Sequence, residues 1–236
     1  MNYPIRKNIK DVFNAFMVEG AAFSKEDIPF CPTTGGIPSS VVTYREAKLI
    51  CRKEIKADPD FRSEAYVCFY EDDQDFDGPR CSIWTFPKKA YGILKHFKGI
   101  ITPDFSTYQD FPMPLKIYNT YRMRAFGHWF GSIRGKGVVN NVRWGTRETW
   151  DYCFDGIGRG SLVAIGTVGG SPRRVADRER FEDGFFEMIR RLRPSDIIVY
   201  GSAKYPCFEL AAKQGIRIHE YPSSTASYFK SRGCKR

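Results

Sequence analysis

Short apolar runs alternate with amphipathic stretches along the last two thirds of the chain. Runs of strand length are AYVCFY, CSIWTF, GIITP, GVVNNVRW, SLVAIGTV, DIIVYG and IRIHEY. Most are separated by stretches of helical periodicity, which are KKAYGILKHFK and residues 115–133, 148–154, 178–192 and 207–213. Continuous apolar strands between helices are typical of a mostly parallel sheet, because both of its faces are covered. The pattern predicts an α/β fold of about six βα-type strands, arranged as an open doubly wound sheet or as a partial or distorted β/α barrel.

The first part of the chain has a different pattern. A short amphipathic helix is predicted at residues 11–18, and SKEDIPFCPTTGGIP then interrupts regular structure with its prolines and glycines. Thr43 and Glu46 have the spacing of a capping box and predict a helix over residues 44–56. We expect a single domain, in which residues 1–60 form an irregular wrap and helix, residues 61–221 the β/α core, and residues 222–236 a loosely held basic tail.

Charge and cysteine content restrict the class of protein. The chain has 37 Lys and Arg against 27 Asp and Glu, a formal net charge of +10. This charge attracts phosphates, although surface solvation alone also accounts for it. The seven cysteines form no C-x-x-C pair and are expected to be reduced thiols. Because no apolar run approaches about 18 residues and the N-terminus lacks a secretory pattern, we expect a cytoplasmic protein without a membrane segment.

Polar side chains follow several predicted strands. The carboxyl ends of parallel strands share one side of a sheet, and ligands bind in the loops that leave them. Asp104 follows one strand and is the first catalytic candidate, with Asp155 as the second; the fork of Arg143 suits an anion. Turn chemistry alone would also select residues such as Asp104 and Ser106. The predicted ligand-binding residues are Ser106, Asn119, Arg122, Asn141, Arg143, Trp144, Thr167, Gly169 and Gly170.

The loop GTVGGSPRR is the best candidate for binding phosphate. Its glycines allow backbone N–H groups to approach an oxyanion, and Arg173 and Arg174 add donors. It lacks the spacing of a P-loop or a dinucleotide fingerprint, so an ordinary surface turn is the alternative. Arg173 and Arg174, together with Arg190 and Arg191, could contact a nucleic-acid backbone; in the alternative, arginines of this region pair with carboxylates of their own helix.

An acidic stretch, EDDQDFDGPR, suggests a metal by its spacing, and Asp104 and Asp155 are the other carboxylates that could handle a metal or a proton. Asp73, Asp75, Asp77 and Gly78 have calcium-loop spacing, but Trp84 stands where the loop requires a glutamate. Clustered carboxylates suit hard cations, so Mg²⁺ or Mn²⁺ is the predicted cofactor if there is one. The identity of any metal ligands stays open.

The segment from Gly99 to Gly201 carries a resemblance. It reads GIITPDFSTYQDFPMPLKIYNTYRMRAFGHWF, then GVVNNVRWG, DYCFDGI, SLVAIGTVG and IIVYG. This order resembles the uncharacterised family numbered 4417 among the domains of unknown function, found in phages, mobile elements and their bacterial hosts. The resemblance implies a viral or mobile-element context. It does not imply any particular activity. It draws attention to Asp104, Ser106, Asn119, Arg122, Asn141, Arg143, Trp144, Asp155 and Gly169.

Three hypotheses follow from these patterns. In the first, the protein binds or acts on a nucleotide or a nucleic-acid phosphodiester at the strand ends, through Asp104, Arg143 and the glycine-rich loop. In the second, it is a non-enzymatic DNA- or RNA-binding protein of replication or regulation. In the third, it inhibits a host defence protein through its basic surface. Whether the protein is an enzyme stays open at this point.

Overall fold

Seven parallel strands form one sheet in which each strand pairs with the next strand of the chain. The computed structural model describes residue 11 and residues 13–168 and 175–231. The sheet order is the sequence order, without a crossover to a distant strand. The strands are β1 (Val41–Thr43), β2 (Ser63–Cys68), β3 (Phe97–Ile101), β4 (Gly137–Asn141), β5 (Val163–Gly166), β6 (Asp196–Tyr200) and β7 (Arg217–Tyr221).

Helices fill the connections between these strands. Pro87, Pro114 and Pro206 lie in the first turns of three of them, where a missing backbone N–H is harmless. Short 3-10 helices lie at Ala15–Val18 and Arg147–Thr149. The α-helices are α1 (Tyr44–Ala57), α2 (Asp73–Phe76), α3 (Pro87–Leu94), α4 (Met113–Gly131), α5 (Val175–Leu192), α6 (Pro206–Lys213) and α7 (Ser224–Ser231). None of the described helices is long and apolar enough to cross a membrane.

Contacts across the sheet show that it curls into a half-barrel. In a flat sheet, β2 and β6 would lie about 19 Å apart, since neighbouring strands are about 4.8 Å apart. The rings of Tyr70, after β2, and Tyr200, in β6, nevertheless stack with centroids 5.3 Å apart. At the outer edge, Tyr221 Oη of β7 donates to the carbonyl oxygen of Pro38, just before β1, at 2.5 Å. The fold is therefore the partial-barrel alternative of the predicted α/β class.

Successive side chains of a strand point to opposite faces of the sheet, and the core is therefore divided between the two faces. In and after β2, Val67 and Phe69 belong to a cluster that includes helical residues, whereas Tyr66, Cys68 and Tyr70 belong to a cluster built from strands and their ends. The second cluster fills the concave face. The tyrosine rings of this second cluster fit on the concave face only where glycines on neighbouring strands leave room for them.

Two glycines show this requirement directly. A Cβ on Gly137 of β4 would lie 2.0 Å from the hydroxyl of Tyr66, and one on Gly166 of β5 would lie 2.6 Å from the ring of Tyr70. Neither distance is sterically possible, so small residues on β4 and β5 allow large side chains from β2 to cross the concave face.

Several local predictions differ from the structure. Of the helix predicted over residues 148–154, the structure has a 3-10 helix at Arg147–Thr149 followed by turns, and of the helix predicted at residues 11–18 it has the 3-10 helix Ala15–Val18. CSIWTF forms turns instead of a strand, because Ser82 Oγ accepts the Thr85 N–H and donates to Asp77, while Ile83 packs in the core. The segment predicted as a loose tail contains α7, which begins where Ser224 bonds to the hydroxyl of Tyr200. Strand β1 was predicted only as part of the N-terminal wrap.

Other local predictions are confirmed. The predicted capping box is present: the Thr43 hydroxyl accepts the Glu46 N–H at 3.2 Å, and the Glu46 carboxylate accepts the Thr43 N–H at 2.8 Å. This box places the start of α1 directly after β1. The predicted strands at GIITP, GVVNNVRW, SLVAIGTV, DIIVYG and IRIHEY correspond to β3 to β7.

Candidate functional site

A chain of hydrogen bonds links the ends of three neighbouring strands. Tyr70 Oη, after β2, donates to Asn141 Oδ1 at 2.9 Å. Asn141 Nδ2, at the end of β4, donates to Asp104 Oδ1 at 2.8 Å, and Arg143 Nη1 donates to Asp104 Oδ2 at 2.6 Å. Asp104 follows β3. The structure therefore brings together Asp104, Asn141 and Arg143, as predicted from their places at strand ends.

The direction of each hydrogen bond in this chain follows from the neutral phenol at its start. Burial raises the pKa of Tyr70 well above its usual value, and the nearby carboxylate of Asp104 adds to the effect. A protonated Tyr70 must donate to the amide oxygen of Asn141, which turns the amide nitrogen toward Asp104. The carboxylate of Asp104 then accepts from both Asn141 and Arg143. The guanidinium of Arg143 is thus held by Asp104, whose orientation is fixed in turn by Asn141 and Tyr70.

Arg143 keeps donors that none of the described residues accepts. One Nη is engaged by Asp104, and the side chains of Arg143 and Asp104 are 30% and 11% exposed. Arg143 also lines a cavity of about 100 Å³. At about 30 Å³ per water molecule, this cavity has room for about three waters or one phosphate-sized group. Its lining residues are Asp104, Asn141, Val142, Arg143, Trp144, Ile165, Gly166, Val168 and Phe181.

Trp144 forms an aromatic wall of this cavity. Its ring centroid lies 5.2 Å from that of Phe181 on α5. Gly184, one turn further along α5, makes the packing possible, because a Cβ there would lie 2.1 Å from the indole. The apolar wall excludes water from one side of Arg143 and so strengthens any charge interaction made there.

Asn119 and Arg122 belong to a second network, which holds the loop after β3. Asn119 Nδ2 donates to the backbone oxygen of Ser106, and Arg122 Nη2 donates to Asn119 Oδ1 at 2.7 Å. Arg122 also forms an ion pair with Asp77 at 2.6 Å and lies 3.8 Å above the ring of Phe105. Both residues were predicted to face a ligand. In the structure these bonds go to protein groups and position the loop that carries Asp104, while the buried Nε of Arg122 has no hydrogen-bond partner among the described residues.

Ser106 and Thr167 are likewise engaged with the protein. Ser106 Oγ donates to Asp73 at 3.0 Å. Thr167 Oγ1 donates to the Ser202 carbonyl at 3.0 Å and accepts its N–H at 2.8 Å, which joins the loops after β5 and β6. Neither side chain lines the cavity. Their contacts support the positions of neighbouring loops.

Asp155 is not among the residues that line the cavity with Asp104. Its carboxyl interacts with Ser24 and Glu26 of the N-terminal segment, and burial raises its pKa. Its backbone oxygen accepts Arg124 Nε at 3.0 Å. The contacts of Asp155 therefore tie the N-terminal segment to the loop after the Arg147–Thr149 helix.

The four predicted nucleic-acid contacts divide into two pairs. Arg190 and Arg191 are described, and both bind the carboxylate of Glu187, at 2.6 Å in each case. These bonds lower the pKa of Glu187 to about 2. The alternative prediction, pairing within the helix, thus holds for both. Arg173 and Arg174, together with Gly169 and Gly170 of the predicted phosphate loop, lie outside the described residues.

The acidic stretch does not gather its carboxylates around one point. Asp73 binds Ser106, and Asp77 binds Ser82 and Arg122. In the described part of the chain, no three side chains of His, Cys, Asp or Glu form a group that could hold a metal. A cation at the strand ends would need oxygens from its own ligand in addition to Asp104.

Glu71 is a titratable residue at the same end of β2 that the sequence analysis missed. Its carboxylate accepts the backbone N–H of Arg45 at 3.1 Å. Burial raises its pKa from 4.5 to about 7, although hydrogen bonds from Thr43 and Arg45 act in the opposite direction. Its position directly before the acidic stretch gave no indication of this burial.

Comparison with known proteins adds a family match. The family model described as "Domain of unknown function (DUF4417)" matches residues 25–222. The "Gene 1 protein" of Mycobacterium phage L5 is 33% identical over 155 residues, which cover 66% of this chain and 63% of the phage protein. The "Gene 1 protein" of Mycobacterium phage D29 is 32% identical over 155 residues, which cover 66% and 54%. The chain therefore spans less than two thirds of the length of these relatives. No solved structure matches the chain.

Proposed function

This chain belongs to the DUF4417 family of phage-type proteins, and we propose that it binds a phosphate-bearing ligand at the C-terminal end of its curled sheet. The ligand class is a nucleotide or a nucleic-acid phosphodiester. The observation that carries the proposal is the geometry of Arg143: Asp104 holds it on one side, none of the described residues accepts its other donors, and it lines a phosphate-sized cavity. Guanidinium forks of this kind bind phosphate oxygens in pairs.

The surroundings of Arg143 favour a ligand larger than a free anion. Asp104 neutralises much of the charge of Arg143, so inorganic phosphate alone is expected to bind weakly. Trp144 and Phe181 provide aromatic surface next to the cavity, and base stacking on such surface is worth about 1–3 kcal/mol. The net charge of +10 raises the local concentration of phosphorylated ligands. A nucleotide or a short single strand combines these contributions.

A thermal-shift screen tests the proposal. The purified chain is mixed with inorganic phosphate, nucleoside mono- and triphosphates and short single-stranded DNA and RNA, each with and without Mg²⁺ or Mn²⁺. A ligand at 100 times its Kd stabilises the folded state by about 2.7 kcal/mol. We expect a shift with at least one nucleotide or oligonucleotide that is larger than the shift with phosphate. If no phosphate-bearing probe shifts the transition, the proposal is wrong.

Two substitutions locate the binding. Arg143→Ala removes two charge-assisted hydrogen bonds of about 1.5 kcal/mol each, which corresponds to an affinity loss of about 100-fold. Asp104→Asn removes the competing carboxylate and is expected to tighten phosphate binding. Arg190→Ala, a change at an exposed arginine on α5, is the matched control. Binding that survives Arg143→Ala but is lost in the control would place the ligand elsewhere.

The same variants separate binding from catalysis. If a bound ligand is turned over, Asp104 is the carboxylate at the cavity that can accept a proton or bind a metal ion. Asp104→Asn would then abolish turnover and retain binding. A variant that loses both, with an unchanged melting temperature, would contradict this role for Asp104.

A further inference from the structure

A second and much larger recess lies between α1 and α3. It has a volume of about 610 Å³ and is open to solvent along the two helices. Its apolar floor is formed by Tyr44, Cys51, Ile55, Phe86, Ala90 and Ile93. We name this recess the α1–α3 groove. It is separate from the cavity at Arg143, with which it shares no lining residue.

The rim of the α1–α3 groove carries positive charge without a matching negative charge. Its cations are Lys48, Arg52, Lys56, Arg80 and Lys89, and none of the residues that line the groove is acidic. Lys48 donates to the backbone oxygen of Asp75, and Lys89 lies over the ring of Phe86. For the other three, no ion pair to a described carboxylate is found.

The arrangement of these cations on α1 works against helix stability. Lys48, Arg52 and Lys56 follow one another at a spacing of four residues, which places like charges on the same face of the helix. The carboxylates of α1 are used elsewhere, because Glu46 belongs to the capping box and Glu54 pairs with Lys53. Within this stripe Arg52 and Lys56 have no ion pair to a described carboxylate. Cations of this kind beside an open apolar floor form an arrangement that a partner of opposite charge would complete.

We propose that the α1–α3 groove binds an acidic amphipathic helix of a partner protein. Apolar side chains of that helix contact the floor, and its Asp and Glu side chains pair with the rim, which is the helix-in-groove mode of recognition. The 14 residues of α1 give a groove of about 21 Å, since a helix rises about 1.5 Å per residue. A nucleic-acid backbone would match the rim alone and would leave the apolar floor facing sugars and phosphates.

A display selection of random 20-residue peptides on the immobilised full chain tests this proposal. We expect enrichment of peptides with net negative charge and apolar residues at helical spacing. Enriched peptides are then measured by fluorescence polarisation at 50 and 300 mM salt, with a 20-nucleotide single-stranded DNA in parallel. The double variant Arg52→Glu/Lys89→Glu should lower peptide affinity at least tenfold.

Matched variants make the outcome specific to the groove. Lys53→Glu/Lys88→Glu changes the same two helices by the same charge at residues that do not line the groove, and it should alter affinity less than threefold. Arg143→Ala should leave peptide binding unchanged, so that failure of the phosphate site and failure of this proposal can be told apart. Melting temperatures of all variants identify any loss of folding.

Cys81 reports where the peptide binds. It lines the groove and is partly exposed, whereas the other described cysteines are buried. In a Cys234→Ser background, which removes a thiol outside the described residues, bound peptide should slow alkylation of Cys81 at least fivefold. The proposal is overturned if no peptide is enriched, if enriched peptides lack acidic residues, or if the groove variant or Cys81 is unaffected. Tighter binding of the DNA in the groove would overturn it as well.

Discussion

Glu71→Gln is expected to stabilise the fold above pH 7 and to leave it nearly unchanged at pH 4. Burial raises the pKa of Glu71 from 4.5 to about 7, and this effect exceeds the opposing hydrogen bonds from Thr43 and Arg45. A glutamine keeps one oxygen that can accept the Arg45 N–H, but it has no charge to bury. The substitution therefore removes the burial of charge and retains most of the bonding.

The sign and size of the effect follow from proton binding. Between pH 4.5 and about 7, folded Glu71 holds a proton that the unfolded chain has released, so wild-type stability falls as pH rises through this window. The difference in pKa corresponds to about 3.4 kcal/mol at 1.36 kcal/mol per pH unit. Because the side chain is partly exposed, solvent screening reduces the expected effect to about 1–2 kcal/mol.

Urea unfolding at pH 4, 5.5, 7 and 8.5, followed by tryptophan fluorescence, measures this effect. The advantage of Glu71→Gln over the wild type should be below about 0.5 kcal/mol at pH 4 and reach about 1–2 kcal/mol at pH 8.5. Glu179→Gln, at an exposed position of α5, should show no such dependence on pH. An equal difference at all four pH values would refute the reasoning, as would an NMR titration of Glu71 with a midpoint near 4.5.

Three further substitutions test the packing of the sheet and its hydrogen bonds. Gly166→Ala should destabilise the fold by about 1–3 kcal/mol, because its Cβ would lie 2.6 Å from the Tyr70 ring. Gly92→Ala on α3 is the control: its Cβ meets open space, and the substitution should stabilise the fold by about 0.5 kcal/mol. The melting temperatures of the two variants measure the difference. Arg124→Met leaves three backbone carbonyls without their donor and should cost about 2–4 kcal/mol in urea unfolding at pH 7. Asp196→Asn should cost about 1–2 kcal/mol at pH 7. Hydrogen bonds from an arginine and a histidine hold the Asp196 pKa well below its usual value, so the stabilisation from this carboxylate is present above about pH 4 and is lost as pH falls. The difference in unfolding free energy between Asp196→Asn and the wild type should therefore be smaller at pH 3 than at pH 7.

The class of fold and the grouping of polar residues at the strand ends could be predicted because they depend on patterns that are local in the sequence. Continuous apolar strands with intervening helices require a parallel sheet, and the residues directly after β3 and β4 must then lie at one edge. This is why Asp104, Asn141 and Arg143 were predicted as neighbours. The curl was left open, because it depends on glycines such as Gly166 facing a tyrosine three strands away.

Other features could not be read from the sequence, because only tertiary contacts decide them. Asn119 and Arg122 share a face of α4, as their spacing requires, but the partners of that face are Ser106 and Asp77, which no local pattern connects to it. CSIWTF has the composition of a strand, yet its apolar side chains reach the core from a turn. Glu71 belongs to an acidic run, and a run of this kind gives no indication of which carboxyl is buried.

The sequential pairing of the strands has a consequence for synthesis on the ribosome. Each strand from β2 onward can pair with a strand that has already been made, so the sheet can grow from its N-terminal edge as the chain emerges. The segment before β1 can form these hydrogen bonds only after later parts of the chain are made, since the Cys31 N–H donates to the Gly156 carbonyl and Pro38 accepts from Tyr221. Pro38, which is made before β1, is thus bound by β7, the last of the seven strands to be made. A chain that stops before β7 keeps six strands that can pair in order and the Tyr70–Tyr200 stack, but it lacks the Tyr221–Pro38 hydrogen bond between the outer edges of the sheet.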